Sequence, residues 1–491
     1  MNALSPIWII AVIICYFALL MLISYFTGKD SDNEKFFLAG RQSPWYVVAF
    51  GMIGASLSGV TFISIPGVVG AGGANMDFSY MQMVLGYLLG YAVIALVLLP
   101  LYYRLNLTSI YSYLDKRFGL EAYRTGAGFF LLSRTVGASF RLYLVAVVIQ
   151  EFVMSAWGVP FWVTVMVTIG LIWVYTFRGG INTIIWTDTL QTFCMLLSVV
   201  LTIIAIGNTL DLNLGELFSL VQQSEYSQVF FFSGGWSDPN NFFKQLISGA
   251  LIAIVMTGLD QDMMQKNLSC RSLREAQYNV LAFSGVLVLA NLLFLTLGAL
   301  LYIYSSHIGL DIPAKTDLLY PEVAFNHLSA FTGIIFVLGL TAAAYSSADS
   351  ALTSLTTSFC IDFLDFEKND QSPEEQEKTR FRVHVGFSVL LFVVIVIFHL
   401  INNDAVISQI FKWAGYTYGP LLGLFSFGLF TTLKVNRRYI IPICLLAPVL
   451  SYVLDANDLF LNFKLGFLII LLNGLLTFLG LWIFSYYEEG N

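Results

Sequence analysis

Residues 51–67 read GMIGASLSGVTFISIPG, an apolar run whose middle is crowded with glycine, serine and threonine. Serine side chains compete with a helix for its backbone hydrogen bonds, and glycine weakens a helix interior. This stretch therefore predicts a membrane helix that is interrupted near its centre. Residues 256–262 read MTGLDQD and interrupt a second apolar run in a similar way, five runs further along the chain.

The composition places both stretches in a membrane protein. Hydrophobic residues make up 57% of the 491 residues, charged residues only 11%, and the mean hydropathy is +0.77. Soluble domains carry about 25% charged residues. The first apolar run, residues 6–27, lacks the basic start and small-residue cleavage site of a signal peptide, so we expect it to be retained. No basic stripe or nucleic-acid motif is present in the sequence, so we expect no nucleic-acid partner.

The apolar runs predict an all-α membrane protein with about thirteen transmembrane helices, each long enough to cross about 30 Å of hydrocarbon. They cover residues 6–27, 44–70, 78–103, 122–154, 160–177, 181–209, 243–264, 276–305, 331–364, 382–400, 405–432, 438–455 and 463–486. Lys and Arg accumulate on the cytoplasmic side of membrane proteins. With the N-terminus outside and the C-terminus cytoplasmic, 18 of the 24 basic residues fall inside, Lys266 among them. We therefore predict a multi-pass protein of the cell (inner) membrane.

The two interrupted runs occupy corresponding positions, which predicts two five-helix repeats of opposite topology with a binding site between them. We expect one transporter domain over residues 1–491. It divides into a leading helix (6–27), a first repeat (44–209), a second repeat (243–432) and two trailing helices (438–486). Unwound carbonyls suit a cation, and the starts of half-helices suit anionic groups. The alternative interpretation is ordinary tight helix packing through small residues.

The ninth span carries the densest polar chemistry. Residues 341–354 read TAAAYSSADSALTS and place Ser346, Ser347, Asp349 and Ser350 within about one helical turn. Such oxygen ligands suit a hard monovalent cation, whereas serines bonded to their own helix are the alternative. Asp188 in the sixth span is a carboxylate at membrane depth, which is costly and functional by default. Its alternative is a structural hydrogen-bonding role near the inner membrane edge.

Two arginines and a glutamine are candidate contacts for a solute. Arg134 in the fourth span is able to hold a carboxylate bidentately, or else it pairs with a helix C-terminus or with Glu151. Arg141 lies seven residues later on the same face, and we expect a structural role for it. Gln82 in the third span is a candidate hydrogen-bonding partner for a sugar-like or acidic solute.

Other chemistry is missing from the sequence. It contains no Walker A motif, no Gly-x-Ser-x-Gly elbow and no His-Glu-x-x-His motif. We therefore expect neither ATP-driven transport nor an enzyme, and no organic cofactor. The expected partners are a small solute, its coupling ion and the lipid bilayer, and a monomer is expected to suffice for transport.

Several motifs together resemble the sodium/solute symporter family, and the resemblance covers nearly the whole chain. They are FFLAGRQSPW at 36–45, Gly-Gly at 179–180 with WTDTLQ at 186–191, DQDMMQKNL at 260–268 with SLREA at 272–276, SSADS at 346–350 and GYTYGPLLG at 415–423. The resemblance implies a LeuT-like core in spans two to eleven, with one helix before it and two after. It also implies sodium-driven import of a small polar solute by alternating access.

The resemblance further implies where sodium binds. The main sodium site would use the backbone carbonyls of Gly54, Leu57 and Ala343 and the hydroxyls of Ser346 and Ser347. A second site, present in some members, would map to Asp188, Ser346, Asp349 and Ser350, so one or two coupling ions are expected. Asp349 stands where well-known members have hydroxyl residues. This difference would strengthen the second site or make it sensitive to protons.

The solute is the last feature that the resemblance implies. Sialic acid carriers of this family hold their ligand at positions that correspond to Ser58, Thr61, Gln82 and Arg134, with Arg134 facing the carboxylate. Sialic acid or a related carboxylate is therefore the favoured solute. A symporter for a monosaccharide or another neutral solute is the alternative, and a sodium-dependent channel or sensor is the alternative outside transporters.

Overall fold

The computed structural model describes residues 6–27, 33–366, 371–401, 406–456 and 465–487. Within these ranges nearly all regular structure is helical. Two two-residue strands, β1 (Lys434–Val435) and β2 (Ser485–Tyr486), pair antiparallel with Lys434 opposite Tyr486. This architecture agrees with the predicted all-α class.

The α-helices follow one another with short connections. They are α1 (Pro6–Thr27), α2 (Asn33–Leu38), α3 (Trp45–Ser56), α4 (Gly59–Val68), α5 (Tyr80–Val93), α6 (Leu99–Arg104), α7 (Ser112–Phe118), α8 (Leu120–Phe152), α9 (Phe161–Thr209), α10 (Leu214–Gln223), α11 (Phe242–Ala253), α12 (Gln261–Leu268), α13 (Leu273–Ile308), α14 (Leu319–Glu322), α15 (Ala330–Ser358), α16 (Pro373–Ile401), α17 (Val406–Phe430), α18 (Arg437–Ala456) and α19 (Ile469–Ile483). Short π-helical segments continue α5, α11, α14 and α15 at Ile94–Leu98, Ile254–Gly258, Val323–His327 and Phe359–Phe363.

The number of membrane crossings can be compared with the predicted spans. Among the described residues, nine helices are long and apolar enough to cross a membrane, and eleven spans result if each of two bent pairs counts as one. The predicted fifth and sixth spans form the single element α9, which is kinked at Gly180 (φ 52°, ψ −149°). A count of thirteen stays a prediction.

The two bent pairs are the interrupted runs of the sequence. α3 and α4 meet at 55°, and the segment Phe242–Gly258 meets α12 at 65°. α9 and α15 form the centre of the bundle, with α1, α3 and α8 packed against both. α5 lies along α11 at very short range, because Gly86 faces the Leu246 carbonyl and Gly249 faces the Met83 carbonyl. The broken helices are thus held inside the bundle.

Lys266, one of the basic residues predicted for the cytoplasmic side, lies at a buried helix end. The apolar run ends at residue 264, but α12 continues to Leu268 and is buried along its whole length. Lys266 is only 1% exposed and lies within the bundle. It lies in the last turn of α12, which is a helix end as predicted, and its assignment to the cytoplasmic side stays a prediction.

The segment before α3 is fastened to the end of α12. The Gln265 side-chain amide donates to the Phe37 carbonyl at 2.6 Å, and the Ser43 N–H donates to the Ser269 carbonyl at 3.0 Å. Arg380 of α16 covers the ring of Phe36 at 4.1 Å. Residues 33–43 thus form a strap across this end of the bundle.

Candidate functional site

The break between α3 and α4 leaves backbone groups without helical partners. Leu57 (φ −84°, ψ 70°) and Ser58 (φ −69°, ψ −178°) depart from helical geometry, and the Leu57 N–H bonds back to Ile53 at 2.7 Å. Among the described residues, no hydrogen bond reaches the carbonyls of Gly54 or Leu57. These oxygens are available to a ligand that lacks its own hydration shell.

The serines of α15 lie beside this break. An ideal Cβ placed on Gly54 would be 3.0 Å from the Ser346 hydroxyl, so the glycine allows α3 to approach α15 closely. The Ser346 hydroxyl donates to Asp188 at 2.7 Å. The Ser347 hydroxyl is buried and has no hydrogen-bond partner among the described residues. Ala343 lies one turn earlier in the unbroken helix.

The residues predicted for a second sodium site form hydrogen bonds with different partners. Asp188 accepts hydrogen bonds from Ser346 and from the Lys266 ammonium, both at 2.7 Å. Asp349 accepts from the Tyr175 hydroxyl at 2.7 Å and from the Ser350 N–H at 2.5 Å. In the described part of the chain, it forms no ion pair.

Ser350 belongs to a third set of contacts, centred on Asp262 of α12. Its hydroxyl donates to one Asp262 oxygen, and Arg134 forms an ion pair with the other. Arg134 and Asp262 are both buried, whereas Glu151, a partner considered from the sequence, is exposed. The charge of Arg134 is therefore balanced within the protein. Asp262 belongs to the motif MTGLDQD, but its distance along the sequence from Arg134 does not predict that the two residues pair.

At the second break, backbone carbonyls and the side chain of Asp260 form hydrogen bonds within the protein. The Gly258 carbonyl accepts from the Tyr102 hydroxyl at 2.9 Å, and the Leu259 carbonyl accepts from Tyr111 at 3.0 Å. Asp260 caps α12 by accepting from the N–H groups of residues 262 and 263, and Tyr418 donates to its other oxygen at 2.5 Å. The carbonyls of Gly258 and Leu259 are therefore engaged by the protein.

A cavity opens at the first break. Its empty volume is about 720 Å³, including the part open to solvent, and Met256 and Thr257 of the second broken helix also line it. Ser58, Thr61 and Arg134, three of the four predicted solute contacts, line it, and their contact with a solute stays a prediction. Arg141 also lines it, although the sequence favoured a structural role. The structure thus brings two guanidinium groups to one cavity.

Three tyrosines of α5 complete one wall, and the sequence reasoning did not identify them. Tyr80, Tyr87 and Tyr91 line the cavity, and the hydroxyls of Tyr80 and Tyr87 are 2.8 Å apart. Their spacing of seven and four residues places them on one helix face. This periodicity was the available signal, but it is equally typical of a packed helix.

Gln82 does not line the cavity. Its side-chain oxygen accepts from the Phe231 N–H at 3.1 Å, and its NH₂ group donates to the carbonyls of Asn240 at 2.8 Å and Ser79 at 3.2 Å. The residue is fully buried. In this structure Gln82 fastens the loop after α10 to α5, and its amide is engaged by the protein.

The structure thus has a membrane helix that is broken beside buried hydroxyls, with free carbonyls and a polar cavity at the break. This arrangement is typical of an ion-coupled secondary transporter. The profile of the sodium:solute symporter family matches residues 36–438. The chain therefore belongs to this family, which confirms the prediction of a sodium-coupled symporter.

Individual proteins resemble the chain over most of its length. The sodium/sialic acid symporter NanT of Aliivibrio fischeri is 26% identical over 92% of this chain and 89% of that protein. The sodium/sialic acid symporter SiaT of Proteus mirabilis is 25% identical over 86% of this chain and 84% of that protein. The substrate-bound, outward-open structure of a Na⁺-coupled sialic acid symporter superposes with a TM-score of 0.81 and 21% identity, covering 97% of both chains. This superposition confirms the LeuT-like fold.

Proposed function

We propose that the protein imports sialic acid or a related small carboxylate together with sodium. Two similar proteins are named as sodium/sialic acid symporters, which supports this solute class. The observation that carries the proposal is the placement of Arg134 and Arg141 on the cavity at the break between α3 and α4. Guanidinium groups bind carboxylates through paired, charge-assisted hydrogen bonds.

Sodium is assigned to the same break. The proposed main site consists of the free carbonyls of Gly54 and Leu57, the hydroxyls of Ser346 and Ser347, and the Ala343 carbonyl. The unpartnered Ser347 hydroxyl supports it, because a buried polar atom without a partner costs about 1–3 kcal/mol unless a ligand compensates it. An ion bound here joins α3 to α15 and favours one arrangement of the bundle.

A second sodium would involve Asp188, Asp349, Ser346 and Ser350. In the described structure the Lys266 ammonium already neutralises Asp188, so this site requires the ammonium to move or Asp349 to supply the charge. The acidic and basic side chains described around the two breaks include Arg134, Arg141, Lys266, Asp188, Asp260, Asp262 and Asp349. If all are ionised, their net charge of −1 is balanced by one sodium ion. A monoanionic solute then calls for a second cation.

We propose that the transport cycle follows the predicted organisation. The repeats 44–209 and 243–432 rock against each other around the cavity, flanked by the leading helix 6–27 and the trailing helices 438–486. The N-terminus lies outside, the C-terminus is cytoplasmic, and a monomer in the cell (inner) membrane suffices. The basic-residue distribution supports this orientation even with Lys266 removed from it, since 17 of the remaining 23 basic residues still fall inside.

Uptake into proteoliposomes tests the proposal. The purified protein is reconstituted, and uptake of radiolabelled N-acetylneuraminate, lactate, glucose and proline is measured with an inward sodium gradient or with choline. We expect saturable, sodium-dependent uptake of a carboxylate. Uptake of glucose alone would indicate the neutral-solute alternative, and non-saturable flux without sodium dependence would indicate a channel.

A further inference from the structure

We propose that the groove between α8 and α18, on the outside of the bundle, binds one anionic glycerophospholipid. Its phosphodiester binds Arg124 and Arg437, and an acyl chain lies along the apolar residues below them. The empty volume of the groove is about 650 Å³, including the part open to its surroundings. The residues that line it include Arg124, Gly128, Phe129, Leu132, Ile441 and Leu445. This site is separate from the cavity at the first break, so the inference goes beyond the proposed function.

Two stripes of residues, one on each helix, form the groove. On each helix an arginine is followed at intervals of four residues by positions with apolar side chains or none. These positions are Arg124, Gly128 and Leu132 on α8, and Arg437, Ile441 and Leu445 on α18. Residues four apart lie on one face of a helix, so each stripe presents its arginine and its apolar positions to the same side.

The two stripes begin side by side. The Arg437 Nε is 3.9 Å from a carboxylate oxygen of Glu121 in the first turn of α8. A Cβ on Gly119, the residue before α8, would lie 2.6 Å from the Arg437 Cζ. Both arginines therefore lie at the same end of the groove. Leu132 and Leu445 lie eight residues further along, which is about 12 Å deeper along the helix axes.

The apolar part of the groove faces the membrane. Leu132 is 51% exposed and Leu445 is 58% exposed, although both lie within apolar helices. A Cβ on Gly128 would have Phe363 as its nearest neighbour, at 4.0 Å, so no side chain fills the groove at this point. Lipid tails are as apolar as leucine and cover such surfaces in a bilayer. The recess at Gly128 is suited to one acyl chain.

The two arginines are only loosely paired within the protein. The Arg124 Nη2 is 3.8 Å from Asp365, and the 3.9 Å from Arg437 to Glu121 is likewise longer than a hydrogen bond. The Arg124 and Arg437 side chains are 48% and 63% exposed. Among the residues that the structure describes, neither guanidinium donates a hydrogen bond. Both are available for paired, charge-assisted hydrogen bonds to a phosphate.

The charge at this end of the groove favours an anionic headgroup. Arg117 and Arg438 lie at the same end, so arginines outnumber the two nearby carboxylates, Glu121 and Asp365. Basic residues at the cytoplasmic ends of membrane helices attract anionic lipids, and basic pockets between such helices bind their headgroups. The orientation proposed above places this end at the inner leaflet.

A second copy of the chain fits this face less well than a lipid does. Two copies in one membrane share their orientation, and a symmetric contact through the groove would bring both pairs of arginines to the same level. Like charges at that distance repel each other, whereas a phosphodiester between Arg124 and Arg437 neutralises part of their charge. The charge pattern therefore favours a lipid as the occupant.

The test compares two lipids that have the same acyl chains. The full-length protein is purified and delipidated in an uncharged detergent. Thermal-unfolding titrations then measure binding of palmitoyl-oleoyl phosphatidylglycerol, of the zwitterionic phosphatidylcholine and of inorganic phosphate. Native mass spectrometry counts the bound lipids and gives the mass of the assembly.

The variants separate the headgroup contact from the acyl-chain contact. They are Arg124→Gln, Arg437→Gln, the combination of both, and Gly128→Leu, which fills the recess. Arg438→Gln is the matched control, because it removes the same charge at the start of α18 but lies outside the stripe. The melting temperature without lipid reports whether each variant is folded.

We expect the wild type to bind phosphatidylglycerol about 30-fold more tightly than phosphatidylcholine, from a factor of about 5 for each arginine near the membrane surface. Each single arginine variant should lose about 5-fold of this preference, and the combined variant should lose all of it. Gly128→Leu should weaken the binding of both lipids equally and keep the preference. Arg438→Gln should behave as the wild type, and inorganic phosphate alone should not stabilise the protein.

Four results would overturn the inference. The first is equal binding of the two lipids by the wild type, and the second is a loss of preference in Arg438→Gln as large as in Arg437→Gln. The third is full stabilisation by inorganic phosphate, which would indicate an anion site without a lipid. The fourth is a dimer that the combined variant dissociates, which would make this face an interface between copies of the chain.

Discussion

The two broken helices occupy equivalent places in the chain but have opposite chemistry. Residues 51–67 contain no charged side chain, and the carbonyls of Gly54 and Leu57 accept no hydrogen bond within the described part of the protein. The second break carries Asp260 and Asp262, and tyrosine hydroxyls satisfy its carbonyls. Residues of both broken helices line the cavity, Ser58 and Thr61 from the first and Met256, Thr257 and Met263 from the second, so the breaks differ in how their carbonyls are satisfied and not in their access to it.

The difference shows how two similar interruptions can serve unlike purposes. Each buried polar group that lacks a partner costs about 1–3 kcal/mol, so a break must be satisfied either by the protein or by a ligand. The second break is satisfied by the protein and fixes the positions of Arg134 and Asp188 through ion pairs. The first is left for ligands. A break thus becomes part of the framework where the surrounding helices supply hydrogen-bond partners, and part of the binding site where they do not.

The largest effect is expected from breaking the framework at Lys266. Lys266→Met leaves the Asp188 carboxylate buried without its cation, which should lower stability by about 3–5 kcal/mol in sodium-free buffer. Thermal unfolding of the purified protein measures this. Combining it with Asp188→Asn should restore most of the loss. Equal destabilisation of the single and double variants would show that the ion pair is not the cause.

Removing a ligand from the first break should have an intermediate effect. Ser347→Ala removes a hydroxyl that has no partner in the described structure, so folding should be unaffected. We expect the sodium concentration for half-maximal uptake to rise about tenfold, the equivalent of about 1.4 kcal/mol. Ser354→Ala is the matched control, because the Ser354 hydroxyl bonds to the Ala351 carbonyl of its own helix. An unchanged sodium requirement in Ser347→Ala would remove this residue from the site.

The smallest effect is expected from removing one hydrogen bond at the second break while its charged residues are kept. Tyr111→Phe deletes the hydroxyl that donates to the Leu259 carbonyl, which should cost about 0.5–1.5 kcal/mol of stability. Sodium dependence of uptake should stay as in the wild type, because the first break is unaltered. A large rise in the sodium requirement, with little loss of stability, would contradict the assignment of this break to the framework.

The sequence located both breaks but not the partners that distinguish them. Glycine and serine within apolar runs predict an interruption from local chemistry alone, and the bends lie where GMIGASLSG and MTGLDQD occur. The pairing of Lys266 with Asp188 depends on how two distant helices are rotated about their axes, which local spacing does not specify. Gln82 illustrates the same point. Its position suggested a solute contact, but in the structure its side chain is hydrogen-bonded to the Phe231 N–H and the Asn240 carbonyl.

The strap formed by residues 33–43 has a mechanical consequence. By sequence it precedes the predicted first repeat, yet its hydrogen bonds join it to Gln265 and Ser269 at the end of α12, in the predicted second repeat. If these bonds persist while the bundle rearranges, the strap ties α12 to α9, because Phe36 also packs against Gly180 of α9. Residues 33–43 then limit how far α12 can move away from α9 at this end of the bundle.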